Sequence, residues 1–244
     1  MGGNIAPSDL PWYYIPFLVM IQLTEPIVLF ALSGFVIFLA GIKRKFESGK
    51  LILFLWFIGP IALQILFHSN VYDNFRQFLF ILPPLFVFAG IGFEWVCSLV
   101  NKMFFRTALA IVALLPGIYG IALLHPIQYI YYNMFIGGVA GAENNFELDY
   151  WLTSYREATS YINEHASPNA NVLGWGSTFN GGREDIDIYA YMADEEVKQS
   201  SLEFDYVVIT TRFFSNVDSF PDAPVVYEVR RDGALLAVVK KLSK

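Results

Sequence analysis

Charge is scarce in this chain. Of its 244 residues, Asp, Glu, Lys and Arg make up only 16%, against roughly 25% in soluble globular domains. A wholly soluble or disordered protein is therefore excluded. Cysteine is nearly absent: Cys97 stands alone, which rules out an internal disulfide and a thiolate metal cluster. Histidine occurs three times, and His125 and His165 have no Cys, His or acid at ligand spacing. No metal site is read from these residues. No Gly-x-Ser-x-Gly elbow is present. The first ten residues lack a basic region and no cleavage site follows them, so they are not a signal peptide. Basic residues are also short in the second half. Residues 125–244 hold nine Lys/Arg against 17 Asp/Glu, a net −8, while residues 1–124 hold seven against five, a net +2. That acidic balance excludes nucleic acid as a partner, because phosphates need Lys and Arg to displace their counterions.

Apolar residues are abundant, at 55% of the chain, with 23 Phe and 14 Tyr. They fall mostly before residue 125. Four runs, about 26–42, 51–67, 78–100 and 107–124, have the roughly 17–25 residues that cross a hydrocarbon layer at 1.5 Å per residue. Glu94 sits at the inner edge of the third run, and Pro60, Pro83-Pro84 and Pro116 interrupt the runs, which implies packing in a bundle. Gln64 is expected to hydrogen-bond a neighbouring helix. Ahead of the first span, residues 11–23 read as an interfacial segment opening on Pro11-Trp12-Tyr13-Tyr14, set off from the span by Thr24-Glu25-Pro26. Tyr129, Tyr131 and Tyr132 form a matching belt after the last span.

The loops orient the bundle. Residues 43–50 carry four positive charges against one negative, and residues 101–106 carry two positives and no acid, so both face the cytoplasm by the positive-inside rule. The loop from His68 to Gln77, the N-terminus and everything after 125 are then extracytoplasmic. An outside N-terminus with no earlier helix to place it suggests that Met1 is not the ancestral start.

After a connector at 125–149, residues 150–244 change period. Ser154-Tyr155-Arg156-Glu157 is a capping-box pattern opening a helix at about 155–165, with Trp151, Tyr155, Ala158 and Ile162 on one face. Residues 171–175 and 206–210 read as strands, and 186–199 as a second helix. Residues 225–231, the turn Asp232-Gly233 and residues 234–240 read as a β-hairpin. The expected fold class is thus an α-helical transmembrane bundle of four spans followed by a small extracytoplasmic α/β domain.

Arg76 is the principal candidate for chemistry. It stands at the mouth of the third span, it is charged at any physiological pH, and its planar fork can hold a phosphate by two parallel hydrogen bonds. His68, Tyr72 and Asp73 lie in the same loop and can orient that group or hold a divalent ion. The competing reading is an Arg–Asp interfacial pair against ordinary headgroups. Two other features read as structural. Gly174-Trp175-Gly176 with Gly181-Gly182 lacks the offsets of a phosphate loop, and Asp185-Ile186-Asp187, with Glu184, reads as an acidic helix start and not as a metal pair. A transporter has little support, since no span carries paired ionisable residues near its middle.

Several stretches together resemble a known family. They are Pro11-Trp12-Tyr13-Tyr14-Ile15-Pro16, then Arg76-Gln77-Phe78-Leu79-Phe80-Ile81-Leu82-Pro83-Pro84 with Tyr72-Asp73-Asn74-Phe75 ahead of it, then Tyr131-Tyr132-Asn133 and Phe146-Glu147-Leu148-Asp149-Tyr150-Trp151. They look like the C-terminal half of a bacterial integral-membrane glycosyltransferase of the GT-C class, similar to protein O-mannosyltransferases and lipid A aminoarabinose transferases. The resemblance covers most of residues 11–165. It implies an enzyme of the bacterial cytoplasmic membrane that takes a sugar from a polyprenyl-phosphate donor at the outer face. Arg76 would contact the donor phosphate, with Tyr72 and Asp73 beside it. The family's base is an Asp in an early outer loop to which no part of this chain corresponds. The chain alone is therefore expected to be inactive and to need a missing N-terminal half. No cofactor is identified, and a divalent metal is left open for the intact enzyme. The alternative is a non-catalytic membrane anchor presenting an extracytoplasmic binding or assembly domain.

Overall fold

A computed structural model describes residues 10–44, 47–71, 74, 76–100, 102–174, 182–190, 192–212 and 217–242. The chain divides into two compact units. One contains the helices up to Leu123 together with Tyr131–Gly138, and the other contains Leu124–Ile130 and Val139–Lys244.

The first unit is helical. A short α1 (Tyr14–Gln22) precedes α2 (Glu25–Arg44), α3 (Ser48–Phe67), a 3-10 segment (Arg76–Ile81), α4 (Leu82–Ser98) and α5 (Met103–Leu123). Four stretches are long and apolar enough to cross a membrane: Glu25–Ile42, Ser48–Phe67, Arg76–Ser98 and Met103–Leu123. Pro60 and Pro116 lie inside α3 and α5, whereas Pro83-Pro84 occupies the first turn of α4. The proline pair therefore starts a helix and does not interrupt one, because the first turn needs no intrahelical N–H donors.

Apolar helices in lipid gain nothing from hydrophobic burial against one another, so close packing decides how they pair. The closest pairing is α2 with α4. There Gly34 and Gly92 face each other so tightly that a Cβ on Gly34 would run into the Phe88 carbonyl, and one on Gly92 into that of Phe30. Beside this contact Phe88 meets Phe35, Phe38 and Phe57 at ring-centroid distances of 5.1, 5.0 and 5.4 Å, joining α4 to α2 and α3. Gln64 departs from its expected role: its Oε1 is buried and accepts no hydrogen bond among the described residues. At the far end of α4, Arg106 Nε donates to the Val100 carbonyl at 2.9 Å, which satisfies an acceptor just beyond the helix.

The second unit contains a five-stranded sheet. After α6 (Gly138–Ala142) and α7 (Tyr155–His165) come β1 (Asn171–Gly174), β2 (Asp187–Ala190), α8 (Asp194–Gln199), β3 (Tyr206–Thr210), β4 (Val225–Arg231) and β5 (Ala234–Lys241). The strand order is β2-β1-β3-β5-β4. β1 is parallel to both β2 and β3, and β5 is antiparallel to β3 and β4. β3 lies in the middle and is buried along its length, as its run Tyr-Val-Val-Ile-Thr requires of a strand covered on both faces. Leu173, Val207, Ile209 and Val238 form a core cluster with Phe204 and Phe220. α7 packs against β3, β4 and β5. The hairpin turn has Asp232 at φ 49° and Gly233 at φ 83°, the left-handed pair that a two-residue connection needs.

Four local expectations are corrected by the second unit. Residues 186–199 are not one helix: Asp187 opens β2 and only Asp194–Gln199 is helical. Asp185 is consequently no helix start. Its carboxylate is held 2.7 Å from Arg183 Nη2, and that guanidinium keeps it acidic, lowered to about 2. Arg183 Nη1 also donates to the carbonyls of Asn163 and Ala166, at 3.1 and 3.0 Å, closing the C-terminal end of α7.

The capping box at Ser154 does not form either. Ser154 makes no side-chain cap, and Glu157 pairs with Arg231 of β4. Asp149 takes over the role by accepting from the N–H groups of Thr153 and Ser154 at 2.9 and 2.8 Å. It is fully buried and also accepts from the Tyr129 hydroxyl. On α7 the buried face is Tyr155, Ala158, Thr159 and Ile162, while Trp151 is 62% exposed and lies tilted against the rings of Tyr129 and Tyr150 instead.

Candidate functional site

The Arg76 loop is built from the ends of two helices. α3 stops at His68, which takes a left-handed conformation (φ 48°), and the N–H groups of His68 and Ser69 both reach the Gln64 carbonyl. This winds up the helix end and leaves the His68 side chain exposed. Arg76 is the first residue of the 3-10 segment that leads into α4, and it is exposed as well. Between them Val71 and Asn74 are buried, and Asn74 takes a left-handed conformation at φ 62°. Tyr72 and Asp73, the other two candidates, lie outside the described residues.

A segment distant in sequence holds this loop. Tyr132 donates its hydroxyl proton to Asn74 Oδ1 at 3.0 Å, a buried contact. The next residue, Asn133, is buried and organises the end of α1. Its Nδ2 donates to the carbonyls of Met20 and Leu23 at 2.7 and 2.8 Å, and its backbone N–H to that of Ile21 at 2.8 Å. These are C-terminal carbonyls that a helix cannot satisfy by itself. Met134 N–H then donates to Glu25 Oε1 at 2.7 Å, at the first turn of α2. Tyr131 lies against Gly120 of α5, where burial and the nearby Glu25 carboxylate push its hydroxyl up to about 12. Residues 131–134 thus gather the start of α2, the approach to α4 and the end of α5 at one end of the bundle.

The tyrosine belt is corrected by these contacts. Tyr132 is buried, and the hydroxyls of Tyr129 and Tyr132 are spent on Asp149 and Asn74, so they are internal supports and not headgroup anchors. Ile15, Leu18, Val19 and Ile21 of α1 are buried, while Trp12 and Tyr13, just ahead of the helix, remain exposed.

Sequence reasoning named Arg76 and His68 as candidates and did not single out Asn74, Asn133 or Glu25, which form the hydrogen bonds around that end of the bundle. A signal existed in Tyr131-Tyr132-Asn133, an amide beside bulky rings just after an apolar span. A polar group in such surroundings must find partners. The Gly174–Gly182 loop lies almost wholly outside the described residues. Among the described residues, no three His, Cys, Asp or Glu side chains are grouped to hold a metal ion.

Chemically, Arg76 carries a permanent positive charge ahead of the apolar helix α4, and a guanidinium can bind an oxyanion through two parallel hydrogen bonds. Compared with known families, curated proteins and solved structures, the chain matches none.

Proposed function

We propose that this chain is the C-terminal portion of a membrane glycosyltransferase that moves a sugar from a polyprenyl-phosphate donor to an acceptor at the extracytoplasmic face. The observation that carries the reading is the position of Arg76, an exposed residue at the start of the 3-10 segment that leads into α4. Support also comes from the polar end of the bundle around it, where Tyr132 fixes Asn74 two residues earlier. The bond between the anomeric carbon and the phosphate oxygen breaks as the acceptor oxygen attacks. The electron pair leaves with the lipid phosphate, and Arg76 offsets the charge gathering there. His68, Tyr72 and Asp73 orient the phosphate. The acceptor's proton goes to a base that the family resemblance puts in a loop outside this chain.

Orientation follows from the basic loops at residues 43–50 and 101–106, which mark the cytoplasmic end. The Arg76 loop and the α/β unit are then extracytoplasmic. The single native cysteine makes this testable. In a Cys97→Ser background, Ser69→Cys should react with a membrane-impermeant maleimide added from outside to intact cells.

The decisive measurement is binding of a polyprenyl phosphate to the full chain in nanodiscs. Arg76→Ala should weaken binding about tenfold or more, the size of a lost hydrogen bond to a charged group. Uncharged polyprenol should bind both proteins alike. Equal affinity of Arg76→Ala for the phosphate would remove Arg76 from the site. The alternative, an anchor presenting a binding domain, is favoured by one observation: the α/β unit has its own core around Val207 and Ile209.

A further inference from the structure

The helical unit contains an apolar cavity of about 260 Å³. Four helices wall it, through Val19 of α1, Ala31 of α2, Ile61 of α3 and Phe88 of α4. Its origin lies in how the helices pair. The Gly34–Gly92 contact pulls α2 tightly onto α4, while α3 touches α4 less extensively. A wedge remains between α2 and α3, with the rings of Phe35, Phe57 and Phe88 lining it. The nine residues of α1 are too few to span a bilayer and instead supply the fourth wall. That wall is held in place, because Asn133 binds the carbonyls of Met20, Ile21 and Leu23.

The wedge opens on one side. Val19, Ile61 and Phe88 are buried, but Met20 and Leu32, which also line it, are 41% and 50% exposed. Leu32 lies in the candidate span Glu25–Ile42, where the medium beyond it in a bilayer is hydrocarbon, and Met20 lies in α1 just ahead of that span. Water has no reason to enter, since a buried water needs two or more polar partners. Dry apolar cavities of about 150 Å³ take up small hydrocarbons, and this one is larger. Left empty, its lining would forfeit dispersion contacts on every wall.

We propose that this wedge is a binding site for one fatty-acyl chain of a bilayer phospholipid, entering sideways between Met20 and Leu32. The lining residues supply apolar surface and no charged group for a headgroup, so the chain enters and the headgroup stays outside. The surrounding bilayer offers acyl chains at the highest concentration of any hydrocarbon. The inference rests on the membrane placement of the helices and not on sugar transfer, so either can fail alone.

The test uses the full chain extracted from membranes in a mild detergent, with retained lipid measured by native mass spectrometry. The unaltered protein should carry about one phospholipid. Ala31→Phe should lose it to the detergent background by filling the wedge, whereas Val36→Phe, on the exposed side of α2, should retain it. Ala31→Leu is the milder filler should the Phe variant fail to fold, and it should lower retention in the same direction. No retained lipid in the unaltered protein, or full retention in a folded Ala31 variant, would overturn the site. A competition in nanodiscs between a phosphatidylcholine and a polyprenyl phosphate identifies the chain. Preferential displacement by the polyprenyl phosphate would overturn the acyl assignment, and indifference to it would sustain it.

Discussion

The indole N–H of Trp56, on α3, donates to the backbone carbonyl of Phe80 at 2.8 Å. In a continuous helix that carbonyl would accept from the residue three or four positions on, but those are Pro83 and Pro84, which have no N–H. Trp56 therefore supplies from a neighbouring helix the donor that the proline pair removes. In lipid this matters more than in water, because no solvent can take its place. It also anchors the 3-10 segment whose first residue is Arg76.

Trp56→Phe should destabilise the helical unit by about 1–2 kcal/mol, the cost of leaving a carbonyl unpaired. Adding Pro84→Ala restores an N–H four residues beyond Phe80. The double variant should lose less than the two single losses combined, a coupling visible in a double-mutant cycle of unfolding in bicelles. Strict additivity would mean that the two prolines and Trp56 are unrelated.

The α2–α4 contact tolerates no side chain. Gly34→Ala and Gly92→Ala each drive a Cβ into a backbone carbonyl of the facing helix, which cannot give way as a flexible side chain would. Each should cost about 1–3 kcal/mol from overpacking. Gly90→Ala, on the same helix as Gly92 but facing open space, should be close to neutral in the same assay.

Asp149 is the more consequential member of its pair with Tyr129. It caps α7 through two backbone N–H groups in addition to accepting from the phenol. Asp149→Asn turns an amide donor toward those donors and should cost about 3 kcal/mol, while Tyr129→Phe removes one hydrogen bond and should cost about 1 kcal/mol. Native-state proteolysis of the full chain, read at cleavage sites after residue 139, gives the order.

Alkaline pH should destabilise the chain through tyrosines whose hydroxyls burial pushes up, Tyr129 and Tyr131 foremost. Burial, aided by the Asp149 carboxylate, raises Tyr129 far above the ordinary tyrosine value, and burial with Glu25 raises Tyr131 to about 12. An unfolded tyrosine loses its proton near pH ~10 while the folded chain still holds it. The unfolded state then binds fewer protons, so stability falls as pH rises. For Tyr131 the contribution is complete below about pH 10 and declines toward about pH 12. Tyr131→Phe should flatten that decline in unfolding curves taken across the range, and an unchanged slope would count against the burial of its hydroxyl.

The elements most legible from the chain alone were those whose causes lie within a few residues of one another. The four spans follow from run length, since twenty apolar residues at 1.5 Å each match the hydrocarbon thickness. The hairpin follows from Asp232-Gly233, which accepts positive φ. The strand Tyr206–Thr210 follows from an unbroken apolar run. Residues 186–199 are not legible in this way, because a short edge strand and a six-residue helix carry too little periodicity to separate.

Composition and local pattern were enough to decide that this polypeptide has four helices long and apolar enough to cross a membrane and then changes to mixed α/β structure, because hydrophobic length and turn geometry are properties of neighbouring residues. Contacts across the chain decided the rest. Glu157 stands where a capping box would use it, yet it pairs with Arg231, 74 residues away, and buried Asp149 caps the helix in its stead. Asn133 reaches back 113 residues to close α1. Each of these side chains had several local partners open to it, and only the folded chain, by burying some and excluding water from others, determined which hydrogen bond each would make.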